Sequence, residues 1–244
     1  MDRVAVAHRI LGLLDLTELS DAASETDVRE LCRRATSDHG AVAAVCVWPR
    51  HVAHARSELG HTAVRIATVA NFPTGDESIP HVASTIEQAL SNGADEIDVV
   101  LPYRALEQGA IEHVAGILDI ARSTTVDRTL KVILETGELG DDRRIADASH
   151  LAIDHGADFI KTSTGKTATS ATLDATRVML DVIASTPWTV GLKPSGGIRT
   201  LDAAAAYLDQ ADSIMGPDWA TPATFRIGAS SLLDALLIEL GDAP

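Results

Sequence analysis

Phe159-Ile160-Lys161-Thr162-Ser163, followed by Thr164-Gly165-Lys166-Thr167, sets a lysine inside a short apolar run that ends on a glycine turn. Side chains alternate between two faces along a strand, so Phe159, Lys161 and Ser163 share one face. A charge is costly beneath a packed helix, whereas the other face of a barrel strand points to the interior. The lysine therefore marks its own face as inward. The same reading gives inward sets elsewhere: Glu96, Asp98 and Val100; Lys131, Ile133 and Glu135; Gly191, Lys193 and Ser195.

Working outward from this stretch, eight runs read as strands: Ala41–Trp48, Val64–Ala70, Glu96–Leu101, Leu130–Thr136, Phe159–Ser163, Thr189–Lys193, Ser213–Met215 and Phe225–Gly228. The segments between them read as amphipathic helices, among them Ser78–Asn92, Leu106–Arg122, Ala171–Ala184 and Ser230–Leu240. Strand–helix alternation implies parallel strands with right-handed crossovers. Eight such units predict an α/β fold, a (β/α)₈ TIM barrel, in a single domain spanning 1–244. An open doubly wound sheet is the structural alternative. Two helices, Asp2–Leu14 and Glu25–Thr36, precede the first of these strands, so residues 1–40 are expected to cover the barrel bottom.

The 244 residues are 45% hydrophobic but only 3% aromatic, so the core must be built from Ala, Val, Leu and Ile. Twenty Lys and Arg stand against thirty-five Asp and Glu, a formal net charge of −15. Such a surface repels nucleic acid and anionic membranes, and neither is an expected partner. A local cluster of lysines still leaves room for an anionic small molecule. Apolar strings such as 41–48 are too short to span a bilayer, and residues 1–21 mix charge with apolar residues as no secretory leader does. The two cysteines, Cys32 and Cys46, form neither a metal motif nor a disulfide framework. A cytoplasmic protein is expected.

The inward faces collect Lys131, Lys161 and Lys193 with Glu96, Asp98 and Glu135. For Glu96, Lys131 and Glu135 a structural ion-pair network is an open reading. Lys161 and Lys193 lie at the C-terminal ends of their strands, where barrel active sites form. An amine is nucleophilic only when unprotonated, and a neighbouring ammonium with partial desolvation favours that form. With Asp98 to move protons and no metal-ligand set, this describes a class I aldolase.

Glycine turns follow several strands. Thr164-Gly165-Lys166-Thr167 lacks the glycine of a P-loop, because position 160 is Ile160. Ser195-Gly196-Gly197-Ile198-Arg199-Thr200 and Gly228-Ala229-Ser230-Ser231 each lead into a helix, and with Lys166 they form a candidate phosphate site. His51 and His54 have the spacing of a metal pair but no third ligand nearby, so no metal and no other cofactor is expected. Asn71-Phe72-Pro73-Thr74-Gly75 reads equally as a substrate loop or a plain turn. Cys46 reads as a core thiol, reactive only if it faces inward near the top.

Several long stretches resemble the deoxyribose-phosphate aldolase family. They are Asp15-Leu16-Thr17, residues 67–73, 93–100 and 130–139, Gly156 to Lys166, Gly191 to Thr200, and Phe225 to Ser231. The resemblance covers nearly the whole chain. It implies reversible cleavage of 2-deoxy-D-ribose 5-phosphate to D-glyceraldehyde 3-phosphate and acetaldehyde, with Lys161 as the Schiff-base lysine, Lys193 as the lysine beside it and Asp98 as proton relay. It places Asp15 and Thr164 near the substrate hydroxyls, and Gly165, Lys166, Gly196, Gly197, Gly228, Ser230 and Ser231 around the phosphate. It places Cys46 near the site and suggests a homodimer or homotetramer. Some members carry a terminal tyrosine that reaches the active site. Here the last residues are Gly241-Asp242-Ala243-Pro244 and the only tyrosines are Tyr103 and Tyr207, so that route is expected to be missing. A Schiff-base aldolase with another donor, a phosphosugar isomerase and a non-catalytic sugar-phosphate sensor are the rival readings.

Overall fold

A computed structural model describes residues 2–241, so residues 242–244 at the end of the chain lie outside it. Eight parallel strands form the barrel wall: β1 Leu14–Glu18, β2 Ala44–Val47, β3 Arg65–Ala70, β4 Glu96–Val100, β5 Thr129–Ile133, β6 Phe159–Lys161, β7 Gly191–Lys193 and β8 Ile227–Ala229. They pair in the order β8-β1-β2-β3-β4-β5-β6-β7. Closure comes from bridges between Leu192 and Phe225 and between Ser195 and Gly228. There the Arg226 N–H donates to the Leu192 carbonyl at 3.0 Å and the Gly228 N–H to that of Pro194 at 2.9 Å. The architecture is the expected (β/α)₈ barrel.

The helices in chain order are α1 Arg3–Leu11, α2 Glu25–Arg34, α3 Val52–Leu59, α4 Ile79–Ser91, α5 Tyr103–Glu107, α6 Ile111–Thr124, α7 Thr136–Leu139, α8 Asp142–Asp154, α9 Leu173–Ser185, α10 Leu201–Met215 and α11 Leu232–Leu240. Side-chain oxygens of Ser24, Asp141, Thr172 and Thr200 cap α2, α8, α9 and α10 by accepting from their first-turn N–H groups. Outward strand residues such as Val45, Ile66, Ile97, Val99, Val132, Ile160 and Leu192 are fully buried under this ring. Aliphatic side chains thus carry the core that the aromatic-poor composition requires.

Two expectations are corrected. Ser213–Met215 is no strand; it is the last turn of α10. Three residues are too few to separate a helical from an extended period, and Ile214 and Met215 continue the apolar side begun by Leu208 and Ala211. The missing strand is β1, which lies between the two expected N-terminal helices and overlaps the first of them only at Leu14. Its inward face carries Asp15, so it lacks the continuous apolar signature of a buried parallel strand. With β1 restored, α2 follows the first strand and packs in the ring against α3, while α1 packs on α10 and α11. Neither helix seals the barrel bottom. The strand N-termini instead surround a cavity of about 1020 Å³ whose walls include Arg65, Asp95, Glu96, Arg128 and Arg226.

Candidate active site

The strand register places the charged residues. Lys161 lies opposite Lys193 across the β6–β7 pair, and Asp98 lies opposite Lys131 across β4–β5. Asp15 lies beside Gly228 across β1–β8. The inward rows of six strands therefore bring three carboxylates and four cations into the barrel interior, all of them less than 6% exposed.

Their contacts are direct. Lys161 Nζ and Lys193 Nζ both donate to Asp98 Oδ2, at 2.8 and 2.7 Å. Lys131 Nζ donates to Asp98 Oδ1 at 2.9 Å and to Glu96 Oε2 at 2.5 Å. Asp15 is paired on one side with Lys193 at 2.5 Å and on the other with Arg226 at 2.6 Å. Burial opposes charge on Asp98, but Lys131, Lys161 and Lys193 prevail and hold its carboxyl well below the usual carboxylate range. Burial likewise opposes the Lys193 ammonium, and Asp15 and Asp98 overcome it, so Lys193 is held above its ordinary value. Lys161 goes the other way. Burial, assisted by Lys193 and opposed by Asp98, leaves its amine below the ordinary lysine value. Of the two lysines facing Asp98 Oδ2, the one lining the cavity is thus the more easily deprotonated.

Lys161 forms the floor of a cavity of about 330 Å³ at the strand C-termini. Its walls bring together Thr164, Gly165, Lys166, Gly196, Gly197, Gly228, Ser230 and Ser231. Gly196 and Gly197 take φ of +89° and +79°, in the left-handed region that glycine tolerates best. Gly228 has a different cause: a Cβ there would stand 2.3 Å from Ser195 Oγ. Its N–H is spent on Pro194, so Gly228 contributes close approach of backbone rather than a free donor. Ser231 is the N-cap of α11, and its side chain caps no N–H. Lys166 Nζ reaches across the mouth to the Leu19 carbonyl at 2.7 Å and to Asp21 at 3.4 Å.

Two residues depart from their expected places. Asp15 is fully buried and does not line the cavity; it sits beneath, between Lys193 and Arg226. Glu135 does not join the lysines. Its backbone is left-handed (φ +57°), and its carboxylate accepts from the Thr164 N–H at 3.2 Å and the Thr167 hydroxyl at 3.1 Å. It holds the loop after β6 in place. Cys46 does face inward near the site, but it is fully buried, and burial pushes its thiol up.

Arg226 and Arg199 were not singled out in the sequence. Arg199 lines the cavity wall. Arg226 was hidden because β8 was read from Phe225 as a plain apolar run, although a charge on that run is the same signal that exposed Lys161. His51 Nε2 lies 3.0 Å from the Ala23 carbonyl and His54 Nε2 3.0 Å from that of Glu25, so they hold the loop after β1 and the start of α2 respectively. Among the described residues, no group of three or more His, Cys, Asp or Glu is arranged to hold a metal ion. Tyr103 is buried under the Arg104 guanidinium, 4.7 Å from its ring centre, and Tyr207 packs on the inner side of α10.

The comparisons agree with this geometry. A family model described as DeoC/LacD family aldolase matches residues 10–237. A deoxyribose-phosphate aldolase from Agrobacterium fabrum is 50% identical over 230 residues, which cover 93% of this chain and 88% of that one. The fold superposes with a TM-score of 0.85, at 30% identity, on a candidate deoxyribose-phosphate aldolase from Coccidioides immitis, covering 95% of this chain and 86% of the other. A deoxyribose phosphate aldolase from Aeropyrum pernix, described as having a unique tetrameric structure, matches with a TM-score of 0.75 and 27% identity over 97% and 96% of the two chains. A buried lysine pair on a shared aspartate, a glycine-lined cavity above it, and a family match over almost the whole length converge: the chain belongs to the DeoC/LacD family of aldolases.

Proposed function

We propose that the chain cleaves 2-deoxy-D-ribose 5-phosphate reversibly to D-glyceraldehyde 3-phosphate and acetaldehyde through an imine on Lys161. The observation that carries this reading is the Lys161 amine, buried at the cavity floor with Lys193 on the same Asp98 oxygen. The free amine adds to the substrate C1 aldehyde, and the carbinolamine loses water to give the iminium. The C3 hydroxyl then gives up its proton, the C2–C3 bond breaks, and its electron pair passes into the enamine while C3 becomes the new aldehyde. Protonation of the enamine at C2 and hydrolysis of the imine release acetaldehyde and regenerate the amine. Asp98, in contact with Lys161 Nζ, is the group placed to relay these protons. Lys193 keeps a positive charge beside the imine. Thr164 is assigned to the substrate hydroxyls. Gly165, Lys166, Gly196, Gly197, Gly228, Ser230 and Ser231 are assigned to the phosphate end, where the α11 N-terminus favours an anion.

Borohydride reduction in the presence of substrate, followed by peptide mapping, tests the central step. The adduct is expected on the peptide containing Lys161; an adduct on Lys131 or Lys193 would overturn the assignment. Ser231→Asp tests the phosphate end. It places a negative charge at the α11 N-terminus and should lower kcat/KM for the phosphorylated sugar at least about tenfold, one repulsive contact costing roughly 1.4 kcal/mol. Unphosphorylated deoxyribose should be affected far less, and equal losses would reduce the turn to a structural role.

The remaining assignments follow the family reading. We infer a homodimer or homotetramer, as the Aeropyrum pernix relative is described as tetrameric. A cytoplasmic location fits the cysteine usage. No helix among the described residues is long and apolar enough to cross a membrane.

A further inference from the structure

Arg226 takes no part in the reaction outlined above, yet it is buried and fully committed. Its Nη1 donates to Asp15 Oδ1 at 2.6 Å, its Nη2 to Glu96 Oε1 at 2.8 Å and its Nε to the Pro222 carbonyl at 2.5 Å. Those bonds close a circuit of alternating charge: Arg226, Asp15, Lys193, Asp98, Lys131, Glu96 and back to Arg226. Each link is between 2.5 and 2.9 Å. The circuit holds three carboxylates and three cations, so it is neutral in itself. Lys161 hangs on Asp98 Oδ2 from outside it, a seventh group with no carboxylate of its own.

This count decides which amine is free. Protonating Lys161 adds an uncompensated positive charge at an amine that is only 4% exposed, and such a charge is expensive. Without Arg226 the balance changes. Lys131, Lys161 and Lys193, all as ammonium groups, would then match the three carboxylates, and Lys161 would be held protonated and inert. Other ionisable groups near Lys161 do not alter the count. Cys46, from β2, is a neutral thiol raised by burial, and Glu135, at the end of β5, is turned to the Thr164 N–H and the Thr167 hydroxyl. Glu18, Lys166 and Arg199 lie on the open part of the cavity wall. The low basicity of Lys161 agrees with this picture.

We propose that Arg226 is a positioning residue for the aldol reaction: by matching the third buried carboxylate it makes Lys161 the surplus amine, and by gripping Asp15 it holds Lys193 against Asp98. This inference rests on the reading of Lys161 as the imine-forming lysine. Arg226 reaches the site only through Asp15 and Glu96, and its other side faces the cavity at the barrel bottom.

The test is the pH dependence of kcat/KM and of borohydride trapping at Lys161, in wild type, Arg226→Met, Arg226→Lys, Glu96→Gln and the double variant Arg226→Met/Glu96→Gln. Removing the cation should move both profiles to higher pH by about one unit or more, a loss of about tenfold on the rising limb. Arg226→Lys keeps the charge and should stay near the wild-type position. Glu96→Gln removes one anion at nearly constant shape and should move the profiles to lower pH. The double variant restores the balance and should return towards wild type. Should Arg226→Met fail to fold, the acid shift of Glu96→Gln and the position of Arg226→Lys decide the matter. A Lys161 adduct in wild type with profiles that drop in height but do not move in any variant would overturn the role of Arg226 alone. A wild-type adduct on another lysine would overturn the parent reading and this inference with it.

Discussion

Asp98→Asn is expected to cut turnover by about 10²- to 10⁴-fold at every pH, the range that general acid–base assistance spans, while Lys161 remains open to trapping. The reason lies in which oxygens Asp98 offers. Oδ2 is shared by Lys161 and Lys193, and Oδ1 is taken by Lys131. An asparagine keeps the shape but offers one acceptor, carries no charge and cannot take a proton. Its effect on the amine has the opposite sign to its effect on proton transfer. Loss of the carboxylate removes an interaction that favours the Lys161 ammonium, so the free amine should persist to lower pH than in wild type. The iminium should therefore form and be reducible, whereas C3–OH deprotonation and enamine protonation should slow. Single-turnover kinetics beside borohydride trapping separate the two. Trapping that disappears along with turnover would show Asp98 acting on imine formation itself. A cost in stability is expected as well, because Lys131 and Lys193 lose a partner while remaining buried.

What could be read from the sequence follows from which physical signals are local. Inward faces of β4, β5, β6 and β7 were legible because a lysine or carboxylate inside an apolar run has few other places to point. Asp98, Lys131, Lys161 and Lys193 meet as that alternation required. Glycine turns at strand ends were legible from the glycines leading into helices, and Gly196 and Gly197 prove to have left-handed backbone. Strand β1 was not legible, because Leu14-Asp15-Leu16-Thr17-Glu18 offers only two apolar residues and its inward aspartate makes sense only beside Lys193 and Arg226, about 180 to 210 positions away. Ser213–Met215 failed for the complementary reason: a short apolar run has no period of its own until the helix around it is known. Glu135 shows the limit of alternation. Its parity was right, but a left-handed backbone turned its side chain to the following loop, and no strand rule anticipates that. The direction in which α1 and α2 pack depended entirely on finding β1.

Lys193→Leu should cost about 10- to 10³-fold at neutral pH and recover part of that loss as pH rises. The sign follows from the charges around Lys161. Its amine is held below the ordinary value by burial first and by the Lys193 ammonium next, against the pull of Asp98. Replacing Lys193 with leucine removes a cation and leaves Asp98 Oδ2 to Lys161 alone, and both changes favour the Lys161 ammonium. A rise of about one to three units, the usual effect of one close charge, means that many powers of ten fewer free amines below the new value. Above it the free amine returns, so imine formation should recover on the alkaline side. Recovery should stay incomplete, because the charge beside the developing enamine is gone and Asp15 has lost one of its two partners. Breaking a buried pair while leaving its carboxylate behind costs about 3–5 kcal/mol, so lowered stability accompanies the kinetic effect and has to be measured separately by denaturant unfolding. Because the groups titrate together, the shifted value belongs to the site as a whole. The Asp98 and Lys193 variants should then fail in different ways, one with a normal or acid-shifted adduct and slow turnover at all pH, the other with a missing adduct at neutral pH that returns in alkali. Normal neutral trapping in Lys193→Leu, with no alkaline gain, would remove Lys193 from the control of the amine. Its contact with Asp98 at 2.7 Å would then point to a place in the proton path itself.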